Sequence, residues 1–277
     1  MKKMNNVKNI LGQTSQPENV YPVKEVIFFG NTYKVVEIIH EIIPVQKIIC
    51  ENHRYNMDIF NFSQLNNIQF LTIKTRQDLR SLEYISKSVG ISYGFGIIFT
   101  LEEINKFEYG IWNIHTGKLP QFRGRHPISW GFLKNVKQFG ISIHEINDKI
   151  DQGYLLAESY VKRSLNDNSI DIENKLEEVL ASGLIQQAIN NYFYGQKIKL
   201  EKGEYLENLI GRFDSINPEN YDSKFIFNLF KAQFRYGGVT VQGKLYKECV
   251  FVHEEYIDKY NDYTLIMCKD GIRMGLK

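Results

Sequence analysis

Five short apolar runs, at 25–29, 45–50, 68–73, 88–93 and 110–114, alternate with amphipathic stretches. That alternation constrains the fold more than any other feature. The stretch 32–43 carries apolar residues at 35, 36, 38, 39, 42 and 43, the spacing of one helix face, and Pro44 ends it. Helices are likewise expected over 58–66, over 76–87 with Leu79, Leu82 and Ile85 inward, and over 101–107. Strands and helices taken in turn predict an α/β domain, a Rossmann-like, mostly parallel sheet with helices on its faces. Beyond it, 128–137 reads as a helix, 140–146 and 154–160 as strands, and 170–194 as one long amphipathic helix ended by Gly195.

After Lys202 the pattern changes. A helix over 222–233 precedes short strands over 238–242, 244–252, 264–269 and 272–276, with Gln242-Gly243 and Asp270-Gly271 as turns. The chain therefore divides into an extension at 1–23, a catalytic-sized domain at 24–202 and a small, mostly β unit at 203–277. Such a unit is marginal for a core of its own. Its apolar Val239, Val241, Tyr246, Val250 and Val252 are expected to need a partner surface, on the first domain or on a second subunit.

Several function classes drop out. A formal net charge of +2 marks no general nucleic-acid binder. No apolar run approaches a membrane span, and residues 1–9 lack the apolar core of a signal peptide. Cys50, Cys249 and Cys268 are scattered and form no metal spacing, so a reduced, cytoplasmic setting is expected. Gly30 is followed by Asn31, Thr32 and Tyr33, so the dinucleotide fingerprint is missing, and there is no Walker A loop. Gly94-Phe95-Gly96 is a lone GxG that reads as a turn.

The chemistry is concentrated in 113–127. Asn113 and His115 stand two apart at a strand end, hence on one face. Gly117, Pro120, Gly124 and Pro127 then force an ordered loop, and such loops are where open α/β sheets place ligands. From spacing alone the pair serves equally as an oxyanion donor and a proton acceptor, or as polar caps of the strand. His40, on a helix, and His53, in a loop, read as surface residues, and His253 follows a strand of the C-terminal unit. His126 and His144 lie nearer the loop, His126 as a candidate substrate contact and His144 less so, since spacing gives neither a partner.

At Asn113-Ile-His115, Leu119-Pro120, Arg123-Gly124, Pro127, Trp130, Gly140 and Asp151-Gln-Gly153 the chain resembles the N10-formyltetrahydrofolate-dependent formyltransferases. That family includes glycinamide ribonucleotide transformylase, methionyl-tRNA formyltransferase and the nucleotide-sugar N-formyltransferases. The likeness runs from about Val26 to Tyr194. Where the family usually has Ser-Leu-Leu-Pro, this chain has Gly117-Lys118-Leu119-Pro120.

The resemblance implies the formyltransferase fold and a catalytic set of Asn113, His115 and Asp151, with no metal. Asn113 would donate to the oxygen of the tetrahedral intermediate and His115 would relay the proton, oriented by Asp151, which also favours the imidazolium. N10-formyltetrahydrofolate would lie along Gly96, Ile97, Phe99, Asn147 and Asp148, largely through backbone contacts. Arg123, Arg125 and Lys118 would hold a pyrophosphate or be solvated basic residues, and His126 would touch substrate. Phe234 and Tyr236 would offer faces to a base or pack under the hairpin, with Arg235 near a phosphate. The low net charge and short β tail favour a nucleotide-linked (dTDP or UDP) amino-dideoxyhexose over tRNA as acceptor, for surface polysaccharide synthesis. A homodimer paired through the C-terminal hairpins is expected. A methionyl-tRNA-type or other amine formyltransferase remains the alternative, as does a non-catalytic folate- or nucleotide-binding protein on the same fold.

Overall fold

The computed structural model describes residues 22–83, 86–213 and 215–277. Apart from Pro22 and Val23, the expected N-terminal extension lies outside the described residues. The first elements follow the sequence pattern: β1 (Glu25–Gly30), α1 (Tyr33–Ile42), β2 (Val45–Glu51), α2 (Met57–Leu65), β3 (Gln69–Ile73), α3 (Arg76–Arg80), β4 (Ser88–Tyr93), α4 (Leu101–Ile104) and β5 (Ile111–His115). A two-residue β6 (Arg123–Gly124) and α5 (Pro127–Leu133) precede β7 (Gln138–Glu145) and β8 (Tyr154–Lys162). Then come α6 (Ser169–Val179), α7 (Ile185–Phe193), β9 (Ile198–Lys199) and β10 (Tyr205–Leu206).

Helix α1 buries Val35, Val36, Ile38 and Ile39 against the sheet, each contributing roughly 1.5–3 kcal/mol. Two helices differ from expectation. α3 covers only Arg76–Arg80, started by a Thr75–Asp78 capping box. The expected single helix over 170–194 is broken at Gly183, whose φ of 117° no right-handed helix accommodates.

The main sheet has the order β3-β2-β1-β4-β5-β7-β8-β9. β1 to β5 run parallel, and β7, β8 and β9 extend the sheet antiparallel. Chain direction reverses sides between β1 and β4, the topological switch point where such sheets open a crevice. Alternation along β5 and β7 decides what faces that crevice. Trp112, Ile114, Ile141 and Ile143 enter the larger core under α1, α6 and α7. Ile111 joins a second core on the opposite face with Phe29, Phe99 and Ile104. Asn113 and His115 share the face of Ile111 and stand at its end.

The C-terminal part holds α8 (Ser223–Gln233), β11 (Val239–Val241), β12 (Lys244–Tyr246), β13 (Cys249–Phe251), β14 (Thr264–Met267) and β15 (Arg273–Leu276). The strand expected over 244–252 is two strands. Gln242-Gly243 joins β11 to β12, and Asp270-Gly271 joins β14 to β15. Val239, Val241 and Tyr246, expected to need a partner surface, are buried with Ile226, Leu229 and Met274 in a cluster against which Leu133 of α5, from the first domain, also packs. Apolar side chains left exposed here include Leu245, Phe251, Leu265, Met267 and Ile272. No helix among the described residues is long and apolar enough to cross a membrane.

Candidate active site

The site is assembled by one antiparallel pairing and one zipped pair of turns. β5 and β7 place Asn113 opposite His144 and His115 opposite Ser142. Ser142 then shapes the loop after β5, donating to the Gly117 carbonyl at 2.9 Å and accepting from the Leu119 N–H at 3.3 Å. Gly140 has no room for a side chain there: a Cβ would sit 2.9 Å from the Lys118 nitrogen.

The turn between β7 and β8 delivers Asp151 with a left-handed φ of 51°. Its Oδ2 accepts from the Gly124 N–H at 2.8 Å. One residue earlier on each side, Arg123 donates through Nε and Nη2 to the Ile150 carbonyl at 3.1 and 2.7 Å. Arg-Gly and Asp-x-Gly are thus two halves of one closure. Gly124 has a φ of 99° and abuts the Leu206 carbonyl. Gly153 lets β8 start against the Glu145 carbonyl, 1.8 Å from where a Cβ would stand.

The resulting cluster is nearly dry: His115 is 7 % exposed, His144 1 % and Asp151 9 %. His115 Nε2 lies 2.6 Å from the Phe122 carbonyl, which only accepts, so Nε2 carries the proton and donates. That leaves Nδ1 as a lone pair facing Asp151 Oδ1 at 4.0 Å. Burial pulls the His115 imidazole below its ordinary range, and the Asp151 charge and the Phe122 bond only partly restore it. Burial opposes charge on Asp151 too, but the fields of His115 and His144, the His144 hydrogen bond and the Gly124 N–H hold it far below the usual carboxylate range. The site therefore presents an anion beside a neutral base.

His144 is the residue that sequence reasoning passed over. Its Nδ1 meets the Glu145 carbonyl at 2.9 Å, which fixes the ring, and its Nε2 lies 3.4 Å from both Asn113 Nδ2 and Asp151 Oδ1. It is closer to Asp151 than His115 is. The expectation that Asp151 orients His115 is corrected accordingly: the Phe122 carbonyl sets that ring, and Asp151 Oδ1 stands nearer the His144 ring. Only the strand pairing at Asn113 could have disclosed this, and spacing along the chain does not carry it.

Arg123, expected at a pyrophosphate, is 5 % exposed. Its guanidinium is taken by the Ile150 and Gly203 carbonyls. It is a strut of the loop and offers no free fork to a phosphate. Lys118 and Arg125 are exposed, with the Lys118 ammonium 5.3 Å from the Tyr160 ring centroid. His126 caps α5 with a φ of 59°, and its Nε2 lies 3.0 Å from Asn208 Oδ1. The Tyr236 hydroxyl lies 3.4 Å from His126 Nδ1. His126 and Tyr236 line a cavity of about 330 Å³ together with Ser129, Gln233 and Thr240. Phe234 is exposed beside it. Arg235 pairs with Glu173 on α6 at 2.9 Å.

Along 94–99, Phe99 packs on Phe29 and stacks with Phe95, and Ile97 leans on the same core, so both side chains are packing groups. The Gly96 N–H is held by Glu51 at 3.1 Å. Asn147 braces the turn before Asp151, accepting from the Lys149 N–H at 2.9 Å and donating to the Gln152 carbonyl at 3.2 Å. Asp148 is exposed. Among the described residues no group of three or more His, Cys, Asp or Glu has the arrangement of a metal site. The three cysteines are buried and unpaired.

Residues 59–188 match the family model described as formyl transferase. A methionyl-tRNA formyltransferase of Prochlorococcus marinus (strain AS9601) is 27% identical over 194 residues, covering 67% of this chain and 57% of that protein. The chain thus spans little more than half the length of that curated relative. The fold is similar to WlaRD, a sugar 3N-formyl transferase solved with dTDP and 5-N-formyl-THF. Its TM-score is 0.70 at 17% identity, over 92% of this chain and 97% of that one. The N-formyltransferase from Helicobacter canadensis, solved with folinic acid and dTDP-3-aminofucose, gives 0.69 at 18% identity, over 92% and 99%.

Proposed function

Because the chain carries a formyl transferase domain, we propose that it moves the formyl group of N10-formyltetrahydrofolate to the amine of a nucleotide-linked amino-dideoxy sugar. A dTDP-3-amino or dTDP-4-amino hexose destined for surface polysaccharide is the favoured acceptor. The carrying observation is the convergence of Asn113, neutral His115 and anionic Asp151 on one dry face. The sugar nitrogen attacks the formyl carbon. Asn113 has a second amide N–H beyond the one facing His144, and it donates to the developing oxyanion. His115 Nδ1 takes the amine proton, and Asp151 stabilises the imidazolium so formed. The proton passes to N10 as its bond to carbon breaks, releasing tetrahydrofolate.

The donor is assigned to 94–99 and to the turn holding Asn147 and Asp148, and the acceptor to the side of Lys118, Arg125, His126, Phe234 and Tyr236. The cavity of about 330 Å³ suits a base, with Tyr236 as a ring face. What supports a sugar acceptor is the fold likeness to WlaRD over 92% of the chain, C-terminal part included. The sequence relatives named for methionyl-tRNA support the other acceptor. A panel of dTDP- and UDP-amino sugars, with charged initiator tRNA in parallel, incubated with the formyl donor and read by mass, decides. One added formyl on a sugar is expected, and formylation of the tRNA alone overturns the reading.

Tyr236→Ala is expected to raise KM for the nucleotide sugar about tenfold while leaving folate affinity unchanged. Equal losses for both would make Tyr236 a fold residue. We also assign self-association to the C-terminal strands, where Phe251, Leu265, Met267 and Ile272 lie exposed. Light scattering of the full 32.5 kDa chain should give twice that mass. A monomer at assay concentration removes the assignment. A cytoplasmic setting agrees with three buried, unpaired cysteines.

A further inference from the structure

The loop assigned to the formyl donor is not free-standing. Glu51 ends β2 and is 8 % exposed, an uncommon place for a carboxylate. Its Oε2 accepts from the Gly96 N–H at 3.1 Å and from Arg54 Nη1 at 3.1 Å. The same Arg54 nitrogen donates to the Gly94 carbonyl at 2.5 Å. Glu51 and Arg54 therefore hold both ends of the Gly94-Phe95-Gly96 turn, one by its N–H and the other by its carbonyl. A side chain at Gly96 would displace the carboxylate, because a Cβ would stand 2.8 Å from Glu51 Oε1. Gly94 has a φ of 61° and open space around it, so its requirement is conformational.

The clamp reaches further. The Arg54 carbonyl accepts from Asn31 Nδ2 at 3.0 Å, and Asn56 Nδ2 donates to the Asn31 carbonyl at 3.0 Å. Asn31 belongs to the turn between β1 and α1. The end of β2 thus ties together the turns after β1 and β4, the two strands that flank the switch point.

We propose that Glu51 and Arg54 are positioning residues that fix the 94–99 backbone in the form that receives the formyl donor. The inference rests on assigning the donor to that loop. Neither side chain needs to touch the ligand: a hydrogen bond with an ionised partner is stronger than a neutral one, and two such bonds hold this turn, Gly96 N–H to the Glu51 carboxylate and the Arg54 guanidinium to the Gly94 carbonyl. Without them the loop must be ordered by the donor at the donor's own cost in affinity.

Two readouts on the full chain test this. Calorimetric titration with 5-formyltetrahydrofolate should show affinity falling about tenfold or more in Glu51→Ala, and by about threefold or less in Glu51→Gln, whose amide oxygen still accepts the Gly96 N–H. Gly96→Ala, which pushes the carboxylate away, should behave like Glu51→Ala. In the two Glu51 variants at saturating donor, kcat, its pH profile and KM for the acceptor should stay within about twofold. Amide exchange over 94–98 should quicken in Glu51→Ala and Gly96→Ala but not in Glu51→Gln. The proposal is overturned if Glu51→Ala binds the donor like the wild type, or if both substrates lose affinity together. Quickened exchange in a family of variants whose wild type binds no reduced folate would sink the assignment of the loop to the donor and leave the clamp as geometry alone.

Discussion

His115→Ala should lower kcat about a hundredfold or more, with both KM values nearly unchanged. The reason is the proton inventory of the ring. Nε2–H is committed to the Phe122 carbonyl at 2.6 Å, so Nδ1 is the one nitrogen able to accept. His144 is a poor replacement, because its Nδ1 is spent on the Glu145 carbonyl and its Nε2 faces the Asn113 amide. Alanine also leaves the Phe122 carbonyl without its donor. His115→Gln is the control, since its amide can donate there but accepts no proton. Both variants should show the same loss of kcat, with the melting temperature lowered in His115→Ala and kept in His115→Gln. Near-normal kcat in either removes His115 as the base. The wild-type acid limb should fall below the ordinary histidine range, because burial pulls the imidazole down.

Asp151→Asn should cost about tenfold or more in kcat, the worth of at least one pKa unit of imidazolium stabilisation. The direction of the pH effect is fixed. Asp151 raises the His115 value against burial, so removing the charge lowers it further, and the acid limb moves to lower pH on a reduced plateau. A limb that moves upward, or stays, takes Asp151 out of the mechanism. Stability gives a second reading. The Asp151 carboxyl is depressed in the folded chain, so its contribution is full above the ordinary carboxylate value and drains away as pH falls toward the folded one. His115 adds in the same sense: its folded value is lowered, so stability is lost as pH falls from its ordinary value toward the folded one. Wild type should therefore lose more stability than Asp151→Asn as the pH drops through the carboxylate range, measured by denaturant midpoints.

What the sequence disclosed was local. The strand–helix alternation up to β5 depends on residues within one turn or one strand of each other, and those elements were found in order, with the strands near their expected bounds and α3 and α4 shorter than expected. Asn113 and His115 lie two apart, and Asp151 was brought in by the resemblance. Each failure involves distance along the chain. His144 acquires its place from an antiparallel pairing with a strand some thirty residues earlier (Asn113 with His144). Arg123 was read as an exposed cation because nothing nearby shows that carbonyls at Ile150 and Gly203 close over it. The surface that Val239 and Val241 need includes Leu133 of α5, about a hundred residues earlier, which nothing local reveals. The short α3 and the break at Gly183 are the exceptions. A glycine within a helical pattern is a local feature, and its cost in a helix of about 1 kcal/mol should have been weighed there.

The short pairing of β6 with β10 bears on how such a chain can be recombined. Tyr205 and Leu206 lie in register with Arg123 and Gly124, and the Gly203 carbonyl takes the Arg123 guanidinium. Trp130 donates to the Glu207 carbonyl at 2.9 Å. The segment 203–207 is therefore a wall of the catalytic loop, although it reads as the start of the C-terminal unit. A chimera spliced at Lys202 would import a foreign wall and unseat Arg123. One spliced beyond Glu207 would exchange the acceptor-side unit and keep the native seat of the imidazole. Interchangeable parts in this protein end several residues after the place where the sequence changes character.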